Sequence, residues 1–309
     1  MKTRSIPYFY VSPAFLILGL VVILPFLYNL VLSFSNMNLT HFRDWDFVGF
    51  KQYGKVFSEQ IFYIVLLKTF IWTAVNVVFH VGFGVMLALI LNTNIRFKNF
   101  WRIILILPWA VPQMITALTW RGMFNYQYGA VNLIIKKIDG FLQGIFGIFS
   151  TADVGNIIEP VAWLSGEATA FIACIITNVW LGFPFMMIVA LGALQSIPKS
   201  LYEATSIDGA SKFQQFRHIT IPFLKPVMMP AIVLGVIWTF NNLNVMWLVS
   251  NGGNPSDKTH ILVSFVYKAV FNHYRYGYAA ALSLVIFLIL LAIGWTMLKK
   301  TNAAKGVAE

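Results

Sequence analysis

The chain has a single cysteine and little charge. Cys174 stands alone inside an apolar stretch, which excludes an intramolecular disulfide and a cysteine-based metal cluster. Charged residues fill only 11% of 309 positions, and acidic ones are the scarcer, 11 Asp+Glu against 22 Lys+Arg. Soluble domains carry about 25% charged residues, whereas here 59% of residues are hydrophobic and the mean hydropathy is +0.74. A water-soluble globule of this size has no room for so much apolar surface, so this is a membrane protein. The chain also lacks a G-x-x-x-x-G-K-[ST] phosphate loop, which excludes the usual route to ATP binding. His218, His260 and His273 have no metal-ligand spacing.

What is present is a series of apolar runs. A bilayer core needs roughly 20 apolar residues per helix, and such runs cover Val11–Phe34, Thr69–Leu91, Ile103–Trp120, Thr169–Leu194, Pro226–Ser250 and Gly277–Leu298. The expected fold is an all-α integral membrane protein with six transmembrane helices, both termini on one side. The first run is too long for a signal peptide and no small-x-small cleavage site follows it, so it is expected to remain as a helix. With a cytoplasmic N-terminus, the inside segments hold about 12 basic residues in roughly 63 positions, against about 10 in roughly 110 outside. The inside set is Lys2, Arg4, Arg96, Lys98, Arg102, Lys199, Lys212, Arg217, Lys225, Lys299, Lys300 and Lys305. Both termini are therefore expected in the cytoplasm, and topology accounts for the net charge of +11 without a nucleic-acid partner.

None of the six runs contains Asp, Glu, Lys or Arg, and His80 is their one imidazole, expected to be packed or bonded between helices. Proton relays and ion-coupled pumps use intramembrane charges, so both are disfavoured, as is an acid–base membrane enzyme. Asp44 with Asp46 is the one close carboxylate pair. The external stretch from Arg121 to Ala168 is expected to form short helices that cap the bundle or touch an outside partner.

The segment Gln195–Pro226 is the most informative. Ser200 with Glu203 and Ser211 with Gln214 read as two capping boxes, with Asp208-Gly209 at the turn between two short helices and Pro222 ending the second. Leu201, Tyr202 and Ile207, then Phe213, Phe216 and Ile219, give each helix an apolar face that must rest on the bundle, on lipid or on another protein. Glu203-Ala204-Thr205-Ser206-Ile207-Asp208-Gly209-Ala210, followed by Phe213, Phe216-Arg217, Ile219 and Ile221-Pro222, resembles the EAA loop of membrane subunits in binding-protein-dependent ATP-driven importers. It departs from that pattern at Thr205, where a second Ala is typical, and at Ile221, where Leu is.

The resemblance implies that residues 195–225 form a coupling loop docking on an ATPase subunit through Glu203, Ala204, Asp208, Gly209, Ala210, Phe213, Phe216 and Pro222. ATP and Mg would then be used by the partner, with no cofactor bound by this chain. It also implies a single permease domain over 1–309 in the cytoplasmic membrane. The implied partners are a second membrane subunit in a heterodimer, two ATPase subunits and an extracytoplasmic solute-binding protein.

Beyond the loop, Phe34, Val48 to Tyr53, Leu107-Pro108-Trp109-Ala110-Val111-Pro112 and Phe124 to Asn132 resemble carbohydrate-importer permeases. The stretches Asn178 to Met187, Phe240-Asn241-Asn242 and Ser250-Asn251-Gly252-Gly253 are most similar to the larger membrane subunit of maltose-type importers. The resemblance places a sugar site at Asn178, Trp180, Gly182, Phe185, Trp238, Thr239 and Asn242. Sugars present hydroxyls at the edge and C–H faces, which neutral hydrogen-bonding groups and aromatic rings match without buried charge. Phe185, Trp238 and Thr239 replace the Tyr, Phe and Asn of the maltose pattern. The hydroxyl lost at Phe185 leaves the sugar's identity open. Lipid anchoring or packing by the tryptophans and interhelical bonds by the asparagines are the alternative uses of these residues. Three other functions stay open: the same machine for glycerol phosphate or a polyol, an enzyme acting on lipid-linked sugars, and a structural subunit without a pathway.

Overall fold

The computed structural model describes residues 6–149 and 156–301. Lys2, Arg4 and Lys305, used above for sidedness, lie outside the described residues. Among those described, the chain is helical, with one isolated bridge between Ser35 and Phe47. The long helices are α1 Tyr10–Leu32, α3 Gln60–Asn92, α7 Glu167–Gln195, α9 Lys212–Phe240 and α12 Tyr276–Thr301. Between them lie α2 Lys51–Ser58, α4 Lys98–Ala110, α5 Gln113–Met123, α6 Ala130–Phe149, α8 Lys199–Ile207, α10 Leu243–Val249 and α11 Leu262–Phe271. Among the described residues, five helices are long and apolar enough to cross a membrane, six when α4 and α5 count as one bent span. The protein is thus an all-α membrane protein, as its composition requires.

The chain folds into two compact units. One holds the chain up to Val65 with Phe265–Leu291, the other Leu66–Ser264 with the chain from Ala292. In the first unit, Glu59 accepts from Arg275 Nη2 at 2.9 Å and from Tyr278 Oη at 2.6 Å. The Arg275 guanidinium also lies 3.9 Å from the Tyr278 ring centroid. Leu16 to Leu18 and Leu20 to Leu24 of α1 all expose more than half or about half of their surface, which only lipid or a partner helix can accept.

The second unit carries everything expected of the site, and its helices differ from the expected runs at three places. The run Ile103–Trp120 is two helices meeting at a 95° bend. Pro112 has no N–H and disfavours helical geometry before it; Val111 turns to ψ 134° and the ladder ends. The run Pro226–Ser250 also breaks, because Asn241 and Asn242 leave the helix and the Asn242 side chain accepts from Val245 N to cap α10. Pro222, expected to end the second short helix, instead lies inside α9. A π-turn over Phe216–Thr220, closed by Ile221 N bonding Phe216 O, widens the helix just ahead of the proline ring. The same device precedes Pro25, where a π-turn covers Gly19–Ile23.

The helices outrun the apolar runs, which brings ions to their ends. Lys68 on α3 pairs with Glu167 at the start of α7 and donates to Lys258 O at 2.7 Å. The stretch from Arg121 to Ala168, expected outside, holds one long helix, α6, rather than only short ones. Its Asp139 accepts from Ile157 N and Ile158 N, both at 2.8 Å. α3 and α7 touch backbone to backbone at Gly84, where an added Cβ would stand 2.6 Å from Met186 Cβ and 2.8 Å from Met187 N. Only small residues permit such an approach between membrane helices.

Candidate functional site

Where α3, α4, α5, α7, α9 and α10 meet, they enclose a cavity of about 700 Å³. Both helix breaks open onto it. Val111 and Pro112 line it at the first break, Asn241 and Asn242 at the second. Helix ends leave backbone groups unpaired; at the second break the Asn242 side chain accepts from Val245 N, and amide side chains stand beside both breaks, which concentrates polar groups at one place in an apolar bundle. The lining contains no Asp, Glu, Lys or Arg.

Three rings form its apolar part. Phe185 lies 5.4 Å from Trp238 and 6.0 Å from Trp109, centroid to centroid, in tilted arrangements. Trp109 and Trp238 are each about half exposed, so the aromatic surface is open to a ligand. The polar part is carboxamide. Asn242 Nδ2 donates to Asn178 Oδ1 at 2.6 Å, Gln113 Nε2 to Asn242 Oδ1 at 3.1 Å, and Asn244 Nδ2 to Gln113 Oε1 at 3.0 Å. Asn178 Nδ2 is buried without a partner. A buried polar group left unmet costs about 1–3 kcal/mol.

His80 on α3 is 4% exposed, and its Nε2 lies 2.9 Å from the Asn178 carbonyl oxygen. A carbonyl only accepts, so Nε2 carries the proton. The ring lies against Gly182, where any Cβ would collide with it. The glycine is thus required by the imidazole. Trp72, fully buried, donates from Nε1 to Thr239 O at 2.8 Å and holds the end of α9 against α3.

Six of the seven residues expected at a sugar site, Asn178, Gly182, Phe185, Trp238, Thr239 and Asn242, line this one cavity. Trp180 does not. It lies two residues from Asn178, about 200° around the helix, and faces Trp120 at 5.9 Å in a separate, apolar hollow with Phe79, Phe83 and Phe183.

The loop between α7 and α9 makes a second surface. Its first helix begins two residues earlier than a Ser200 cap would require: Pro198, extended at ψ 130°, takes the N-cap place, so the expected Ser200–Glu203 box does not form. The Ser211–Gln214 box is present in both halves. Gly209 N bonds Ser206 O and Ala210 N bonds Thr205 O, a Schellman ending with Gly209 at φ +79°. Buried Gln215 reaches Tyr202 O, Thr205 Oγ1 and Ser206 Oγ at 2.8–3.3 Å, and Tyr202 Oη meets Thr220 Oγ1 at 2.9 Å. The two short helices are therefore fixed to each other. Of the apolar residues expected to pack, Ile219 is buried, but Ile207 is 88% and Phe213 69% exposed. Glu203, Ala204 and Asp208 are exposed with them.

Residues 80–298 match the family described as the inner membrane component of binding-protein-dependent transport systems. The chain belongs to this family. It is 36% identical, over 98% of its own length and 72% of the relative's, to the galactooligosaccharides transport system permease protein of Bacillus subtilis (strain 168). It is 33% identical, over 96% of its length and 94% of the relative's, to the trehalose/maltose transport system permease protein of Thermococcus litoralis. A bacterial alginate ABC transporter, solved with a pentasaccharide-bound periplasmic protein, has a chain of the same fold: TM-score 0.76, 18% identity, 97% of this chain and 96% of that one.

Four residues of this transport subunit shape the cavity without a place in the expected sugar site: Gln113, Asn244, Trp109 and His80, the last bonded between helices as expected. Gln113 and Asn244 each sit beside a break, and Pro112 before the one and Asn242 before the other were the readable signals. His80 gave no signal of its contact with Gly182, which joins residues about a hundred positions apart.

Proposed function

We propose that this chain is the membrane permease of an ATP-driven importer for a neutral oligosaccharide, maltodextrin-like or galactooligosaccharide-like, and that the cavity is where the sugar passes. The observation that carries this reading is the cavity lining itself: five carboxamides and three aromatic rings, with no ionised side chain. A phosphorylated polyol or a uronic polymer would call for cations there, so glycerol phosphate and acidic sugars are disfavoured. Sugar hydroxyls exchange hydrogen bonds with Asn178, Asn242 and Thr239, while C–H faces stack on Phe185, Trp109 and Trp238. The half-exposed Trp109 and Trp238 are places for a second membrane subunit to close the cavity.

Energy enters through the loop. Ile207 and Phe213, exposed beside Glu203, Ala204 and Asp208, dock on an ATPase subunit, with Gly209, Ala210, Phe216 and Pro222 setting the shape of that surface. ATP and Mg are bound by the partner. Closure of two ATPase subunits moves the loop, and the helices exchange inward-facing for outward-facing access around a weak site, with no covalent change to the sugar. An external solute-binding protein delivers the sugar, and both termini lie in the cytoplasm with the basic loops.

Purification of the tagged protein from native membranes in mild detergent tests this assembly. The expected result is stoichiometric recovery of an ATPase and a second, similar membrane subunit, with Glu203→Lys losing the ATPase alone. Recovery of the chain by itself, or with lipid-modifying enzymes, would refute it.

A further inference from the structure

The amide groups around the cavity form a chain that runs in one direction, and a single backbone bond decides which. Val245 N–H can only donate, and it meets Asn242 Oδ1 at 3.2 Å. That bond fixes the orientation of the Asn242 amide, so Nδ2 is the atom facing Asn178. Asn178 must then accept through Oδ1, which leaves its own Nδ2 as the end of the chain, buried and unpartnered in the cavity wall. On the other side, Asn242 Oδ1 admits only a donor. Gln113 presents Nε2 to it and turns Oε1 to Asn244 Nδ2. Every link from Asn244 through Gln113 and Asn242 to Asn178 donates the same way, and bonds aligned so strengthen one another.

We infer that Gln113 is a positioning residue of the transport site: it ties the break at Val111-Pro112 to the break at Asn241-Asn242 and completes the donor chain that Val245 N–H directs, holding the amides of Asn242 and Asn178 in place at the cavity wall. The inference rests on the reading of the cavity as the sugar path. Gln113 is the one link supplied by α5, whereas Asn242 and Asn244 flank the start of α10 and Asn178 lies on α7. Its carboxamide both accepts and donates, and a side chain able to do only one breaks the sequence of donors.

The test uses the complete importer, with its ATPase, second membrane subunit and binding protein, in proteoliposomes, with maltotriose and galactobiose as probes. Gln113→Leu fills a similar volume and removes both bonds, and is expected to lower uptake of the transported probe about tenfold. Gln113→Glu separates direction from bulk. Ionised, it only accepts and faces Asn242 Oδ1 with like polarity; protonated, it donates and accepts as glutamine does. Ionised at the neutral pH of the assay, Gln113→Glu is expected to lose uptake as Gln113→Leu does, whereas Gln113→Asn, which keeps a donor and an acceptor, is expected to retain uptake within about threefold of the original protein. Should Gln113→Leu fail to assemble, the comparison of Gln113→Glu with Gln113→Asn decides. Unchanged uptake in Gln113→Leu, or Gln113→Glu transporting as well as Gln113→Asn, would overturn the inference while loss of uptake in Trp238→Ala keeps the cavity as the path. If Trp238→Ala also transports normally, the sugar path itself is misplaced.

Discussion

Asn242→Ala is expected to reduce sugar uptake by more than tenfold while the protein still inserts and assembles. Asn242 sits at the centre of the cavity's polar wall: it caps α10 through Val245 N, accepts from Gln113 and donates to Asn178. Loss of an N-cap costs about 0.5–2 kcal/mol. Leaving Gln113 Nε2 and Asn178 Oδ1 unmet adds about 1–3 kcal/mol for a buried group. The hydrophobic contacts of α10, through Val245, Met246 and Val249, all fully buried, do not depend on the side chain, so the helix keeps its place. Uptake per assembled complex, measured in proteoliposomes and normalised to the co-purified ATPase, checks this. Normal uptake would show that the amide wall does not meet the sugar.

A comparable loss is expected at the other surface, from a change that removes no contact at all. Gly209 has φ +79°, and a Cβ placed there meets nothing within 4 Å. Any effect of substitution therefore comes from the backbone. An L-residue in this left-handed region costs about 1–2 kcal/mol, more for a β-branched side chain and less for Asn. The Schellman turn fixes how α8 meets the following helix, so the strain falls on the geometry of the exposed Glu203, Ile207 and Phe213 surface. The expected order of damage is Gly209→Asn, then Gly209→Ala, then Gly209→Val. In Gly209→Val, ATP hydrolysis stimulated by loaded binding protein falls more than about fivefold, as a penalty of 1–2 kcal/mol implies. Equal activity in all three variants would mean that this turn transmits nothing.

The sequence discloses those parts of the fold that depend on neighbouring residues. The ends of α7, Glu167 and Gln195, fall within two residues of the apolar run, because apolar content alone sets that helix. The Ser211–Gln214 cap is likewise local, and so is the turn at Gly209. The structure departs from local pattern where a proline or an amide has more than one use. Pro112 ends a ladder, whereas Pro222 continues one because a π-turn precedes it, and no residue in Phe216–Thr220 announces that turn. Asn242 was noticed as a polar residue of a span, yet as the cap of a new helix it also divides that span. Trp180 was grouped with Asn178 by motif, but helical geometry sends the two to different faces. Gln113 escaped because its partner Asn242 is 129 residues away, whereas His80, expected to be packed or bonded between helices, does meet Asn178 O on another helix.

The most direct test of a neutral sugar path is uptake by the purified importer in proteoliposomes, with loaded binding protein outside and ATP inside, comparing a neutral oligosaccharide with a uronic one of equal length. A cavity of amides and rings without a cation predicts ATP-dependent accumulation of maltotriose or galactobiose, depressed more than tenfold by Asn242→Ala, and none of the uronic oligomer. Accumulation of the uronic oligomer in preference to the neutral one, or uptake that continues without ATP, would contradict the account.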